Sequence, residues 1–348
     1  MSLPLSSCLS FTSYRDWCYH RSFLSAGLCP TILHLQADQS TICCWTPRNP
    51  NPETRPSILL LHGFGANATW QWSSYLRPLL HAGFDLYVPD LLFFGGSSTS
   101  RSDRSETFQA ECVMAAMEAI GVNRIRAVVG VSYGGFVGYR IAAMFEAMVE
   151  KVVLISAGVC LEEKDVKEGM FVVDDPEEAV SILLPQNPER LRQLIRLSHC
   201  RPPPALPACF LSDFIHVMCT DYVDEKRELI FALIRDRKLS DLPKISQPTL
   251  IIWGEKDQIF PLELGYRLKK HLGENSQLEV IQNAGHAVNL EKPKELCKLL
   301  KAFLLDSSKQ EYRKQKATKW YYATKYAGEG VKKFAVHLPL LSGQRGKA

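Results

Sequence analysis

Residues 125–144 constrain the fold of this chain more than any other stretch. The apolar run ending in Ala127-Val128-Val129 leads directly into Gly130-Val131-Ser132-Tyr133-Gly134, and a small-residue helical pattern follows through Met144. A buried strand that becomes a helix within five residues leaves one side chain, Ser132, on a sharp and strained corner. The chain passes such a corner only if the residues two places either side lack bulk, as Gly130 and Gly134 do. Three fixed residues at this spacing arise by composition in roughly one chain of this length in ten, so the flanking strand and helix carry the argument.

A lone serine hydroxyl is a poor nucleophile and needs a base within hydrogen-bond reach, oriented in turn by a carboxylate. Both are expected downstream. Pro248 to Gly254 reads as a buried parallel strand, and the following turn places Asp257 at its carboxyl end as the orienting acid. After another helix and the strand Gln277 to Ile281, the loop Asn283-Ala284-Gly285-His286-Ala287 offers His286 as the general base. Attack on an acyl carbonyl also builds an oxyanion, which needs preorganised donors. The strand Leu59 to Leu61, ending in His62-Gly63-Phe64-Gly65, supplies a glycine-rich turn for them.

These motifs, with Val88-Pro89-Asp90-Leu91 and Trp253-Gly254-Glu255-Lys256-Asp257, make residues 31–305 resemble the α/β-hydrolase superfamily. Within it the likeness is to plant proteins related to monoacylglycerol lipases and epoxide hydrolases. The chain order Ser132, Asp257, His286 is the order of that superfamily. The resemblance implies an oxyanion hole made by the backbone N–H groups of Phe64 and Tyr133, and catalysis without a cofactor. In one respect the chain departs from its epoxide-hydrolase relatives, which carry aspartate at the elbow; Ser132 argues for acyl transfer to serine instead. The expected function is a serine hydrolase that cleaves a lipophilic carboxylic ester through an acyl-enzyme. The resemblance leaves two alternatives: a carbon–carbon bond hydrolase, with Arg192 or Arg196 serving a charged substrate, and a small-ligand receptor that retains the triad.

The predicted fold class is α/β, a mostly parallel eight-stranded sheet with helices on both faces. Strands are expected at 31–35, 41–45, 57–62, 84–88, 124–131, 151–156, 249–253 and 278–281, with helices at 70–81, 106–120, 133–148, 262–272 and 293–305. All the proposed catalytic segments then fall at carboxyl ends of strands, where open parallel sheets place their sites. Between 161 and 242 the alternation gives way to helical blocks at 176–184, 188–197, 211–218 and 225–235, expected to form a helical cap. Its Met170, Phe171, Phe210, Phe214, Met218 and Phe231 suit a lipophilic group below, or serve to pack the cap on the sheet. Trp70, Trp72 and Phe94 are read the same two ways. The hydrolase core is thus expected to span 31–160 and 243–306, following an N-terminal extension at 1–30. Within that extension residues 14–24 read as an amphipathic helix, with a cleaved transit peptide as the alternative.

Charge separates the tail from the body. Of 41 Lys and Arg against 37 Asp and Glu, ten basic and two acidic residues fall after residue 308, so the tail carries +8 and the remainder −4. The body lacks the basic face and reader motif that nucleic-acid binding requires. The 307–348 tail, with aromatics among its lysines, suits contact with an anionic membrane or a solvated extension. Eleven cysteines without a C-x-x-C pair, and no H-E-x-x-H, predict free thiols and no metal site. The 127–149 stretch is apolar enough to suggest a membrane span, but Arg140 and its glycines fit a strand, a corner and a packed helix. A cytoplasmic monomer is expected, with membrane association through the tail and organelle targeting left open.

Overall fold

Short apolar runs separated by helical patterns fold as nine strands in a computed structural model that describes residues 10–35, 39–204 and 206–306. They are β1 (Leu28–Leu35), β2 (Ser40–Pro47), β3 (Ser57–Leu61), β4 (Asp85–Pro89), β5 (Ser98–Thr99), β6 (Ala127–Val131), β7 (Val152–Ile155), β8 (Thr249–Gly254) and β9 (Ser276–Ile281). Their order is β1-β2-β4-β3-β6-β7-β8-β9, with β5 paired to β2 off this path. From β4 to β9 every pairing is parallel, while β1–β2, β2–β4 and β2–β5 are antiparallel.

Helices preceding the elbow are α1 (Phe11–Ser25), α2 (Ala68–Trp72), α3 (Leu76–His81) and α4 (Glu106–Ala119), and α5 (Tyr133–Met144) opens on the elbow itself. Between β7 and β8 lie α6 (Glu163–Lys167), α7 (Pro176–Leu183), α8 (Pro188–Ser198), α9 (Ala208–Met218) and α10 (Val223–Ile234). The chain then adds α11 (Leu262–Leu272), α12 (Val288–Glu291) and α13 (Pro293–Leu305).

Side chains in the central strands sort by parity into two cores, one on each face, because successive residues of a strand point to opposite sides. On β3, Leu59 and Leu61 join one buried cluster and Ile58 and Leu60 the other; Ile251 and Trp253 separate from Leu250 and Ile252 on β8 in the same way. Strands buried on both faces need no polar alternation, which is why they read as continuous apolar runs.

Several boundaries differ from the sequence reading. The strand expected at 124–131 begins at Ala127; Ile125 makes only an isolated bridge to Val149, and Arg126 leaves the strand pattern to pair with Glu150. The sheet has a ninth strand, the two-residue β5. The helix expected at 70–81 breaks at a 3-10 turn over Ser73–Tyr75 and restarts at Leu76. Pro78 requires this, since a proline with no N–H fits the first turn of a helix and not its interior. α5 ends at Met144 rather than 148, and β1 begins at Leu28 rather than 31. The helix read at 14–24 is α1, longer at both ends, its N-cap Ser10 accepting from the Ser13 amide. The basic tail lies outside the described residues. Among the described residues no helix is long and apolar enough to cross a membrane.

Candidate active site

Ser132 stands between β6 and α5 with φ 51° and ψ −121°, a conformation that side-chain-bearing residues rarely adopt. Glycines make room for the turn. A Cβ on Gly130 would lie 2.2 Å from the Gly134 carbonyl oxygen, and one on Gly134 would lie 2.4 Å from that of Leu61. The pentapeptide is therefore fixed by backbone running against backbone, with the Ser132 amide held by the Ile155 carbonyl at 2.8 Å.

Three side chains that are remote in sequence meet at this corner. Ser132 Oγ lies 3.0 Å from Nε2 of His286, and His286 Nδ1 lies 2.9 Å from Oδ2 of Asp257. Because an ionised carboxylate only accepts, the Nδ1 proton donates to Asp257 and Nε2 is left as the acceptor for the serine hydroxyl. Asp257 is itself fixed, its Oδ1 accepting from the amides of Ile259 and Phe260 at 2.9 Å each. The two supporting loops are strapped together: the Lys256 amide donates to the Ala284 carbonyl at 2.8 Å, and that of Asn283 to Glu255 at 3.1 Å. Phe260 packs on the His286 ring with centroids 5.6 Å apart.

The turn after β3 presses against the serine. A Cβ on Gly63 would come within 2.9 Å of Ser132 Cβ, so only glycine allows this approach. Tyr133 is the first residue of α5, where an N–H has no intrahelical acceptor. No described group accepts from the Phe64 amide. The Phe64 and Tyr133 rings meet edge to face at 5.0 Å.

His62 and Asp90 brace this turn without joining the serine. His62 is fully buried; its Nδ1 donates to the Gly63 carbonyl at 2.9 Å and its Nε2 accepts from the Leu91 amide at 2.9 Å. Burial pulls its pKa down to about 4, so it is a neutral strut. Asp90 accepts from the Ala68 amide at 2.9 Å, and burial pushes its carboxyl up to about 7.

Two bracing side chains were not evident from sequence. Gln71 grips the turn after β3 at three backbone points: its Oε1 accepts from the Gly63 amide at 2.9 Å, and its Nε2 donates to the carbonyls of Gly63 and Phe64 at 3.0 and 3.2 Å. Glu291 accepts from the amide of Gly285, next to His286, at 2.6 Å, and from the Cys200 and Arg201 amides at 3.1 and 3.2 Å. It thus ties the histidine loop to the chain just past α8, where the Ser198 carbonyl also accepts from the Ala287 amide at 2.8 Å. A polar residue one or two turns beyond a glycine turn is the only sequence signal for either, and it is a weak one.

Other residues singled out from sequence lie elsewhere. Trp72 is fully buried in the core under α2, and Trp70 donates from Nε1 to Asp16 of α1 at 2.8 Å while packing on Phe214. Phe210 meets Phe11 of α1 at 5.6 Å, and Phe171 packs on Phe260 with the two rings tilted by 30°. Phe94 does stand by the turn, 5.1 Å from the rings of both His62 and Phe64. Arg192 donates to the Leu206 carbonyl, and Arg196 is exposed. Among the described residues no three His, Cys, Asp or Glu side chains cluster so as to hold a metal ion.

The model of the alpha/beta hydrolase family matches residues 58–299, the greater part of the chain. This protein belongs to the alpha/beta hydrolase family. As a family member it is similar to monoacylglycerol lipase ABHD6 of Mus musculus, with 28% identity over 274 residues, 75% of this chain and 79% of that protein. Monoacylglycerol lipase abhd6-A of Xenopus laevis is 29% identical over 78% of this chain and 82% of its own. Among solved structures, a membrane phospholipase A described as a bacterial virulence factor superposes with a TM-score of 0.67 at 25% identity, over 84% of this chain and 91% of its own. An esterase from Exiguobacterium antarcticum gives a TM-score of 0.64 at 19% identity, over 80% of this chain and all of its own, a likeness of fold.

Proposed function

We propose that this family member is a serine hydrolase that cleaves carboxylic esters of lipophilic acyl chains through an acyl-enzyme. The observation that carries the reading is the unbroken relay from Asp257 through His286 to Ser132. His286 takes the serine proton as Oγ attacks the ester carbonyl, then returns it to the departing alcohol. Asp257 holds the ring in the tautomer that accepts from serine and stabilises the imidazolium that forms. The amides of Phe64 and Tyr133 receive the developing oxyanion, and Gln71 keeps their turn in place. Water then enters and the same histidine activates it to release the acid.

Helices α6–α10 act as the cap, and Phe171, Phe94 and Phe260 give the site an apolar and aromatic wall. A serine at the elbow forms an acyl ester, whereas the alkyl-enzyme chemistry of epoxide opening uses a carboxylate nucleophile. The lipases and esterases among its relatives agree with the same reading. The experiment is turnover of p-nitrophenyl butyrate and octanoate. Repeated cycles in wild type that vanish in Ser132→Ala support an enzyme, and turnover that survives the substitution, or a single slow cycle, contradicts it.

A further inference from the structure

We propose that Lys226 receives an anionic oxygen group, carboxylate or phosphate, at the end of the substrate remote from the scissile carbonyl. The preferred substrates are then amphiphilic esters bearing a negative charge. This rests on the ester-hydrolase reading above and narrows its substrate class.

Lys226 lies on α10 and is only 4% exposed, yet no described carboxylate reaches it within ion-pair distance and no hydrogen bond holds its ammonium. Cys219, Asp221 and Glu225 are the groups that act on it electrostatically, Cys219 first, and none of them hydrogen-bonds or ion-pairs with the ammonium. A buried ammonium without a partner is costly, so an anion that reached it would gain a hydrogen-bonded ion pair in a desolvated setting. What the structure does provide is the face of Phe94, 4.9 Å from Nζ. A cation over an aromatic face recovers only part of the lost hydration. Burial accordingly lowers the Lys226 pKa, and an incoming anion would reverse that.

The position points to substrate. Phe94 is the ring that packs edge to face on Phe64 and on His62, and Phe64 packs in turn on Tyr133. The ammonium therefore stands one aromatic side chain behind the turn proposed to hold the oxyanion, and it acts on His62 electrostatically. Arg192 and Arg196, the cations that the sequence suggested for a charged substrate, sit on α8 with Arg192 on a backbone carbonyl and Arg196 in solvent. On this proposal an ester held at Ser132 would pass the Phe64 and Phe94 rings to bring its remote end to the ammonium.

Two readouts test this. In the first, wild type, Lys226→Met and Lys226→Arg hydrolyse p-nitrophenyl hemiesters of adipic and suberic acid alongside p-nitrophenyl hexanoate and octanoate. The ratio of kcat/KM for the acid hemiester to that for the neutral ester of equal length should fall about tenfold to a hundredfold in Lys226→Met, chiefly through KM. Lys226→Arg should restore most of it. An unchanged ratio overturns the proposal, and labelling of each variant by a fluorophosphonate shows that it has folded around its serine. The second readout needs no turnover: thermal shift of Ser132→Ala, with and without Lys226→Met, in dodecanoate, monododecyl phosphate and dodecanol. Stabilisation by an anionic ligand beyond dodecanol, lost with Lys226→Met, supports the lysine and tells carboxylate from phosphate; equal shifts for all three refute it. If wild type hydrolyses none of the esters, the ester reading fails while the binding readout still decides on Lys226.

Discussion

At the scale of residues, Ser132 owes its setting to what its neighbours lack. Gly134→Ala would drive a Cβ to 2.4 Å from the Leu61 carbonyl oxygen, and because backbone lies on both sides neither can yield. We expect a loss of about 1–3 kcal/mol or more in urea unfolding, and turnover falling with it. Replacing the acid tests a different link: Asp257→Asn preserves shape but donates where the carboxylate accepted, which turns the His286 ring to the wrong tautomer. A loss of about 10^4-fold in kcat with near-normal melting is expected, and full activity would break the relay argument. Gln71→Ala should lower kcat about tenfold or more with KM little changed, since it frees the turn proposed to receive charge only in the transition state. Equal losses in kcat and in thermal stability would make Gln71 merely structural.

The three relay residues were legible in the sequence because each follows its own apolar run, and the turn after a buried strand is short enough to fix the residue at its end. Gln71, Glu291 and Lys226 were not legible: each acts across contacts made only after packing, and none sits in a motif. At the scale of elements the same contrast holds. Runs buried on both faces announce β3, β6, β7 and β8, whereas β5, two half-buried residues, has no pattern to read. Likewise α6 is five residues long and forms around a capping box of Glu162 and Asp165 that only the fold brings into use. Tertiary ion pairs hold the distant elements together. Glu106 of α4 accepts from Arg237, just beyond α10, at 2.7 Å and from Arg140 of α5 at 3.4 Å, and Arg237 also donates to the Val159 carbonyl at 2.8 Å. Glu106→Ala leaves the nearly buried Arg237 guanidinium without its acid, and should lower unfolding free energy by about 3 kcal/mol. Removing both partners in Glu106→Ala/Arg237→Met should recover part of that loss, and strictly additive losses would show that the pair is not coupled.

For the molecule as a whole, two buried groups beside the turn that follows β3 give opposite responses to pH. Asp90 keeps its proton in the fold up to about pH 7, against about 4 when unfolded, so its contribution is complete below about pH 4 and is lost as pH rises through 7. His62 runs the other way: neutral in the fold down to about pH 4, it stabilises above about pH 6.5, and that contribution is lost as pH falls toward 4. Between these limits the two slopes offset one another in wild type. Asp90→Asn removes one of them. The stability of wild type relative to this variant should therefore grow by about 2–3 kcal/mol from pH 8 to pH 5 in urea unfolding. A difference that stays constant with pH would mean that Asp90 titrates normally.

On the proposed function, the Asp257–His286 relay makes Ser132 a nucleophile toward an acyl carbon. Intact-protein mass spectrometry of samples acid-quenched during turnover of p-nitrophenyl octanoate, followed by peptide mapping, tests it most directly. A mass increase of one octanoyl group is expected on the peptide that carries Ser132, absent from Ser132→Ala. An acyl group found on another residue, or an adduct that persists without the serine hydroxyl, would contradict it.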